Sequence, residues 1–177
     1  AIMGEDGKVL APWEAGEMLS KGPGVMQVYF GQPVLTESRR KSGWYHSGDM
    51  GSRGEDGYLT LSGRIDDLII SGGENIYPLE ISNVLMELGD VTECCAFGVP
   101  DEVWGEHVKA CVVLAPGSRL TVEELFRYCQ QHMPHFKAPK EIEILPALPK
   151  NASGKVLIQP LRAGTWPGEA KVKNSIA

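Results

Sequence analysis

Gly63-Arg64-Ile65-Asp66-Asp67-Leu68-Ile69-Ile70-Ser71-Gly72-Gly73-Glu74-Asn75-Ile76-Tyr77-Pro78-Leu79-Glu80-Ile81 is the stretch from which the fold is read. Its apolar centre, Leu68-Ile69-Ile70, reads as a short strand. Gly72-Gly73 supplies two positions that accept positive φ and expose backbone N–H groups without side chains. Pro78 suits the first turn of a helix. Ile81, Val84, Leu85 and Leu88 follow at i, i+3, i+4 and i+7, and Gly89 ends the run. A strand, a glycine turn that opens a helix, and an amphipathic helix predict a mixed domain.

Downstream the pattern continues. Residues 91–99 and 107–114 read as strands, and Thr121-x-x-Glu124 is a capping box. Val122, Leu125, Phe126, Cys129 and Met133 share one face of the helix that it starts. Residues 141–145 read as a last strand. Upstream, residues 1–63 read as all-β, with candidate strands at 16–20, 25–30, 44–47 and 58–62. Turns at Glu5-Asp6-Gly7 and Glu55-Asp56-Gly57 separate them. Sixty residues of short strands make a poor core of their own and are expected to complete a larger body. The predicted class is α+β: a β-rich remnant of a larger body at 1–65, then a short sheet flanked by helices at 66–163. A tail without period at 164–177 has the character of a disordered end.

A length of 177 residues suits one or two domains, and 42% apolar with 23% charged residues allows a core. No apolar run approaches the ~20 residues of a membrane span. No signal peptide pattern opens the chain, and Ala1 is read as a cut inside a longer protein. The net charge of −6 argues against a nucleic-acid binder. Residues 134–162 nonetheless carry a net +3, which fits either a small polyanionic ligand or a solvated surface. Cys94, Cys95, Cys111 and Cys129 have neither zinc nor disulfide-framework spacing and read as small buried hydrophobes in a reducing cytoplasm. The four histidines lack metal-ligand spacing, so no metal site is assigned.

Three further segments carry chemistry. In Gly43-Trp44-Tyr45-His46-Ser47-Gly48-Asp49, a carboxylate ends an aromatic strand; two acceptor oxygens suit paired ribose hydroxyls, and equally suit a turn that caps itself. Arg64, at the exit of a strand, offers a fork of donors for phosphate or ribose oxygens, or for a surface ion pair. In Pro149-Lys150-Asn151-Ala152-Ser153-Gly154-Lys155, a lysine on a glycine loop can deliver a point charge where two anions meet, or sit in solvent. The segment lacks the Gly-x-x-x-x-Gly-Lys-Ser/Thr pattern of a P-loop.

In this order, these segments resemble the C-terminal third of the adenylate-forming superfamily, and of its AMP-forming acyl-CoA synthetases in particular. The resemblance covers roughly residues 4–162. It implies ATP, Mg2+ and coenzyme A as cofactors and a small carboxylic acid, fatty or aryl, as substrate. It assigns Asp49 and Arg64 to the nucleotide, Asp66 to the hinge between a large body and a small domain, and Lys155 to catalysis of adenylation. Gly72 and Gly73 line the path of the pantetheine arm in that family, and Trp104, Phe136 and Lys140 lie near the coenzyme A nucleotide. For these last three, ordinary packing or a solvated charge is the competing reading. Most metal contacts, the phosphate loop and the acyl pocket would lie upstream, so the 177 residues alone are expected to be inactive. Val28, where relatives usually have Gly before Tyr, and Ile158-Gln159, where a basic residue is common, depart from the pattern.

Two other readings stay open: an adenylation domain that loads a carrier protein, and a stand-alone nucleotide- or coenzyme-binding module. The loop at Glu74-Asn75-Ile76-Tyr77-Pro78 resembles the CoA-ligase branch, since carrier-loading domains usually have a more basic loop there.

Overall fold

In a computed structural model the chain forms two compact units, Ala1–Asp66 and Asp67–Ala177. The structure describes residues 1–166 and the backbone of 173–175.

The first unit is a five-stranded antiparallel sheet of β1 (Ile2–Met3), β2 (Gly16–Ser20), β3 (Arg40–Lys41), β4 (Trp44–Arg53) and β5 (Leu59–Arg64). Its order is β1-β2-β4-β3, with β5 also paired to β4. Both expected turns form, closed by Gly7 N–H to Gly4 O and Gly57 N–H to Gly54 O. The all-β reading needs correction, because α1 (Pro33–Arg39) interrupts the strands with Pro at its start. Residues 25–30 also form no strand. Two of their backbone groups bond to side chains instead: Thr36 Oγ1 accepts from Tyr29 N–H at 2.9 Å, and the Arg40 guanidinium donates to Met26 O at 2.8 Å, while Val25 N–H and Tyr29 O bond to the backbone of Gly22 and Gln32. Of the large apolar side chains here, only Ile2 and Leu19 are buried, while Trp13, Val28, Phe30, Val34 and Tyr58 are exposed.

The second unit is α+β, as expected. Strands β6 (Ile69–Ser71) and β7 (Glu74–Ile76), helix α2 (Pro78–Met86), strands β8 (Val91–Asp101) and β9 (Gly105–Leu114), helix α3 (Val122–His132), strand β10 (Glu141–Ile144), helix α4 (Ile158–Arg162) and strand β11 (Lys173–Ser175) follow in order. The sheet order is β11-β10-β9-β6-β7, with β8 also paired to β9. β9 and β10 run parallel, and β8 and β9 form a long antiparallel hairpin. The strand at 141–145 is not the last, since β11 pairs with β10. The rest of the 164–177 tail lies mostly outside the described residues.

Period-2 alternation gives this sheet two buried faces. Ala96, Val108, Ala110 and Val112 meet Ile81, Leu85, Leu125, Phe126 and Cys129 of α2 and α3. Cys95, Phe97 and Cys111 face the other way, toward Leu145, Leu148 and Leu161. The capping box is complete, with Thr121 Oγ1 accepting from Glu124 N–H and the Glu124 carboxylate from Thr121 N–H. The glycine turn does not open the helix. Gly72 (φ 59°) and Gly73 (φ 87°) are the two loop residues of the β6–β7 hairpin, and positive φ at both matches the tight-turn geometry that suits twisted strands. β7 then separates them from Pro78.

The cysteines are free thiols. Burial pushes Cys94 up to about 12 and Cys129 up to about 11, as befits apolar packing.

Candidate functional site

The second unit holds a cavity of about 600 Å³, lined by Gly72, Trp104, Phe136 and Lys140 together with residues of β9, α3 and the segment before β10. Four positions singled out from sequence thus line one cavity. Gly73 is next to it, at the tip of the hairpin.

Local structure explains the arrangement. The β8–β9 connection is three residues long, so Trp104 is carried at the tip of a stiff hairpin. Its carbonyl accepts from Gly72 N–H at 2.9 Å, joining this tip to the β6–β7 turn. A Cβ on residue 72 would lie 2.6 Å from Trp104 Cε3, so the indole rests against a backbone that only glycine leaves bare. The Lys140 ammonium sits 5.2 Å from the Trp104 ring centroid, within cation–π range. Phe136 is half-exposed, with Lys137 Nζ at 5.9 Å from its ring.

Charge at the cavity is more balanced than the local +3 suggested. Glu74, Asp101 and Glu141 line it against Lys140, with His107 and His135. Lys137 is held away by both oxygens of Glu80, each at 2.8 Å. Asp101 and His107 were not foreseen. His107 lies between two carboxylates, with Nδ1 3.1 Å from Asp101 Oδ2 and Nε2 3.1 Å from Glu141 Oε1. The backbone N–H groups of Trp104 and Val103, then the nearby Lys140 charge, hold the Asp101 carboxyl down at about 2. The Asp at the end of a strand followed by a short loop was a readable turn signal; its second set of partners, 39 residues distant in the case of Lys140, was not.

Lys155 does not line that cavity. It lies on a separate exposed hairpin, between the bridged residues Lys150 and Val156. Asn151 Oδ1 accepts from Ser153 N–H, Ser153 Oγ–H and Lys155 N–H, which folds the turn around one side chain. Lys150 ties the base of this hairpin to β8 through Glu93, at 2.8 Å. The Lys155 ammonium has no ion pair among the described residues.

In the first unit, Asp49 and Arg64 face each other on β4 and β5 and form an ion pair at 2.9 Å. Gly48 (φ 75°) precedes Asp49, and a Cβ there would fall 2.7 Å from Arg39 Nη1 and 3.2 Å from Arg64 Nη2. Arg39, unread in the sequence because α1 was unread, also reaches Asp66 at 3.6 Å. Asp66 lies in a 3-10 turn, Ile65–Asp67.

Among the described residues no group of three or more His, Cys, Asp or Glu side chains could hold a metal ion, and no helix is long and apolar enough to cross a membrane.

Residues 80–155 match the family model for the AMP-binding enzyme C-terminal domain. The chain is 43% identical over 156 residues to a feruloyl-CoA synthase of Amycolatopsis sp, covering 88% of this chain and 32% of that one. It is 39% identical over 173 residues to the fatty acid–[acyl-carrier-protein] ligase ScoC of Streptomyces coeruleorubidus, covering 98% and 33%. Its fold is similar to o-succinylbenzoate CoA synthetase of Bacillus subtilis in complex with its acyl-adenylate intermediate: TM-score 0.85, 36% identity, 98% of this chain and 34% of that one. The chain therefore spans about a third of the length of the relatives it matches. Residues 80–155 thus carry the AMP-binding enzyme C-terminal domain, in a chain that is similar in sequence and fold to about a third of the adenylate-forming CoA ligases and synthetases.

Proposed function

We propose that this chain is the C-terminal part of an AMP-forming acyl-CoA ligase, contributing different groups to two successive half-reactions. The observation that carries the reading is the single cavity shared by Gly72, Trp104, Phe136 and Lys140, with Lys155 on a separate hairpin. One unit thus offers a cation for one step and an acceptor path for another.

In the first half-reaction a carboxylate oxygen attacks the α-phosphorus of ATP. A P–O bond forms, and the bond to pyrophosphate breaks. The Lys155 ammonium sits between the approaching anions and stabilises the charge that builds up in the transition state. Asp49 holds the ribose hydroxyls, and Arg64 orients the nucleotide oxygens. In the second half-reaction the thiol sulfur of coenzyme A attacks the acyl carbonyl. A C–S bond forms, AMP leaves with the C–O electron pair, and the thiol proton goes to solvent. Gly72 and Gly73 give the arm a passage past bare backbone, while Trp104, Phe136 and Lys140 receive the nucleotide end. Asp66 absorbs the backbone change that exchanges one pose for the other. Mg2+ would accompany ATP on residues outside this chain. The apolar side chains exposed on the first unit support its being one face of a larger body.

The acidic residues in the cavity lining favour a second reading, in which the acceptor arm belongs to a carrier protein and brings fewer phosphates than coenzyme A. The deciding assay uses the complete protein that contains this chain. Acid- and ATP-dependent thioester formation is followed with free coenzyme A, and separately with a pantetheinylated carrier. Thioester with free coenzyme A supports the main reading, and thioester only with the carrier supports the second. If no acid elicits pyrophosphate release, both fail.

A further inference from the structure

Trp104 presents a physical puzzle. Its side chain is 50% exposed and its neighbour Val103 is 79% exposed, so burial does not hold this loop. Yet the indole lies in one place, against Gly72 and beneath an ammonium.

Asp101, the last residue of β8, accounts for this. Its Oδ1 accepts from Val103 N–H and Trp104 N–H, both at 2.9 Å, which fixes the backbone that carries the indole. Its Oδ2 faces Lys140 Nζ at 3.4 Å and His107 Nδ1 at 3.1 Å. Lys140 is independently tethered, its N–H donating to Val108 O at 2.9 Å, so the short reach from its backbone to Asp101 leads the side chain across the indole face. Each oxygen thus has its own task. One sets the turn and the other sets the cation.

We propose that Asp101 is a positioning residue for the acyl acceptor: its carboxylate seats the Trp104 indole against Gly72 and holds Lys140 over that ring. The cavity then offers the acceptor a preformed aromatic and cationic pair, which lowers the ordering cost of binding. The acceptor's use of this cavity rests on the function proposed above; the seating of Trp104 and Lys140 does not.

The test uses the 177-residue chain, first without ligand and then titrated with coenzyme A. The indole N–H resonance of Trp104 is identified by its loss in Trp104→Phe. Asp101→Ala removes both oxygens, so this resonance shifts and its relaxation becomes that of a mobile side chain. Asp101→Asn keeps an acceptor oxygen for the two N–H groups but cannot accept from an ammonium while its amide nitrogen replaces Oδ2. In that variant the indole keeps its resonance, and the Lys140 ε-methylene loses its ring-current shift. Where the wild-type chain binds coenzyme A, Asp101→Ala weakens binding roughly tenfold, the scale of one charge-assisted bond.

An indole that does not respond to Asp101→Ala overturns the proposal, as does a Lys140 resonance unmoved in Asp101→Asn. Should Asp101→Ala fail to fold, the Asp101→Asn pattern decides alone. Movement of both resonances in a chain that binds no coenzyme A upholds the seating, and the thioester assay on the complete protein then decides the acceptor.

Discussion

Asp49 and Arg64 satisfy one another: on adjacent strands β4 and β5, Arg64 Nη1 lies 2.9 Å from Asp49 Oδ1. The two residues assigned to the nucleotide therefore form one unit, with Gly48 leaving room for the guanidinium groups of both Arg64 and Arg39.

This pair is partly exposed, Arg64 at 46% and Asp49 at 33% for the side chains, so it contributes less than about 1 kcal/mol to stability. Asp49→Ala and Arg64→Ala are expected to unfold in urea close to wild type. In the complete enzyme both should raise the KM for ATP, and the double variant should lose less than the sum of the single losses, because each substitution already frees the other residue. Strict additivity in the adenylation assay would show that the two act separately.

Lys155→Ala in the complete enzyme should slow adenylation by roughly 10²–10³-fold, the scale of one preorganised charge at a transition state. Supplied with synthetic acyl-adenylate, the same variant should still acylate coenzyme A at the wild-type rate. The separation of Lys155 from the acceptor cavity is the basis for this division. Equal loss of both half-reactions would remove the assignment.

Gly72 and Gly73 differ in a way that a double-glycine motif hides. Both have positive φ, so Ala at either position should cost about 1–2 kcal/mol. A Cβ at 73 meets nothing within 4 Å, whereas one at 72 meets the Trp104 ring. Gly72→Ala, which displaces the Trp104 ring as well as narrowing the passage, is therefore expected to impair acyl transfer from preformed adenylate more than Gly73→Ala does at matched stability. Single-turnover transfer measures the difference.

Asp101 also predicts an acid dependence. Its folded-state pKa, about 2, is below the ordinary 3.8, so the stability it contributes is complete above about pH 4 and is lost as pH falls toward 2. Asp101→Asn has no proton to take up. Urea midpoints for this variant should fall less steeply than wild type between pH 4 and 2, and the two should run parallel above pH 5.

What the sequence determined by itself was whatever is encoded within a turn or two of chain. The α2 stripe from Ile81 to Leu88, the Thr121–Glu124 box and the two strands at 91–99 and 107–114 were legible because periodicity and caps act on near neighbours. The order of Asp49, Arg64, Gly72-Gly73 and Lys155 was legible too, since it is a linear pattern. Tertiary structure decided the rest. Residues 25–30 carry the composition of a strand, yet they bond to Thr36, Arg40 and the turn residues Gly22 and Gln32 and not to a neighbouring strand. Gly72-Gly73 is followed by a strand before its helix because β6 offers β7 an edge to pair with. Asp101 became the organiser of a site only when folding brought Lys140 to it. Hydrogen bonds and ion pairs are satisfied by whatever the fold places within about 3 Å, and that proximity is a property of packing, which no local window of sequence contains.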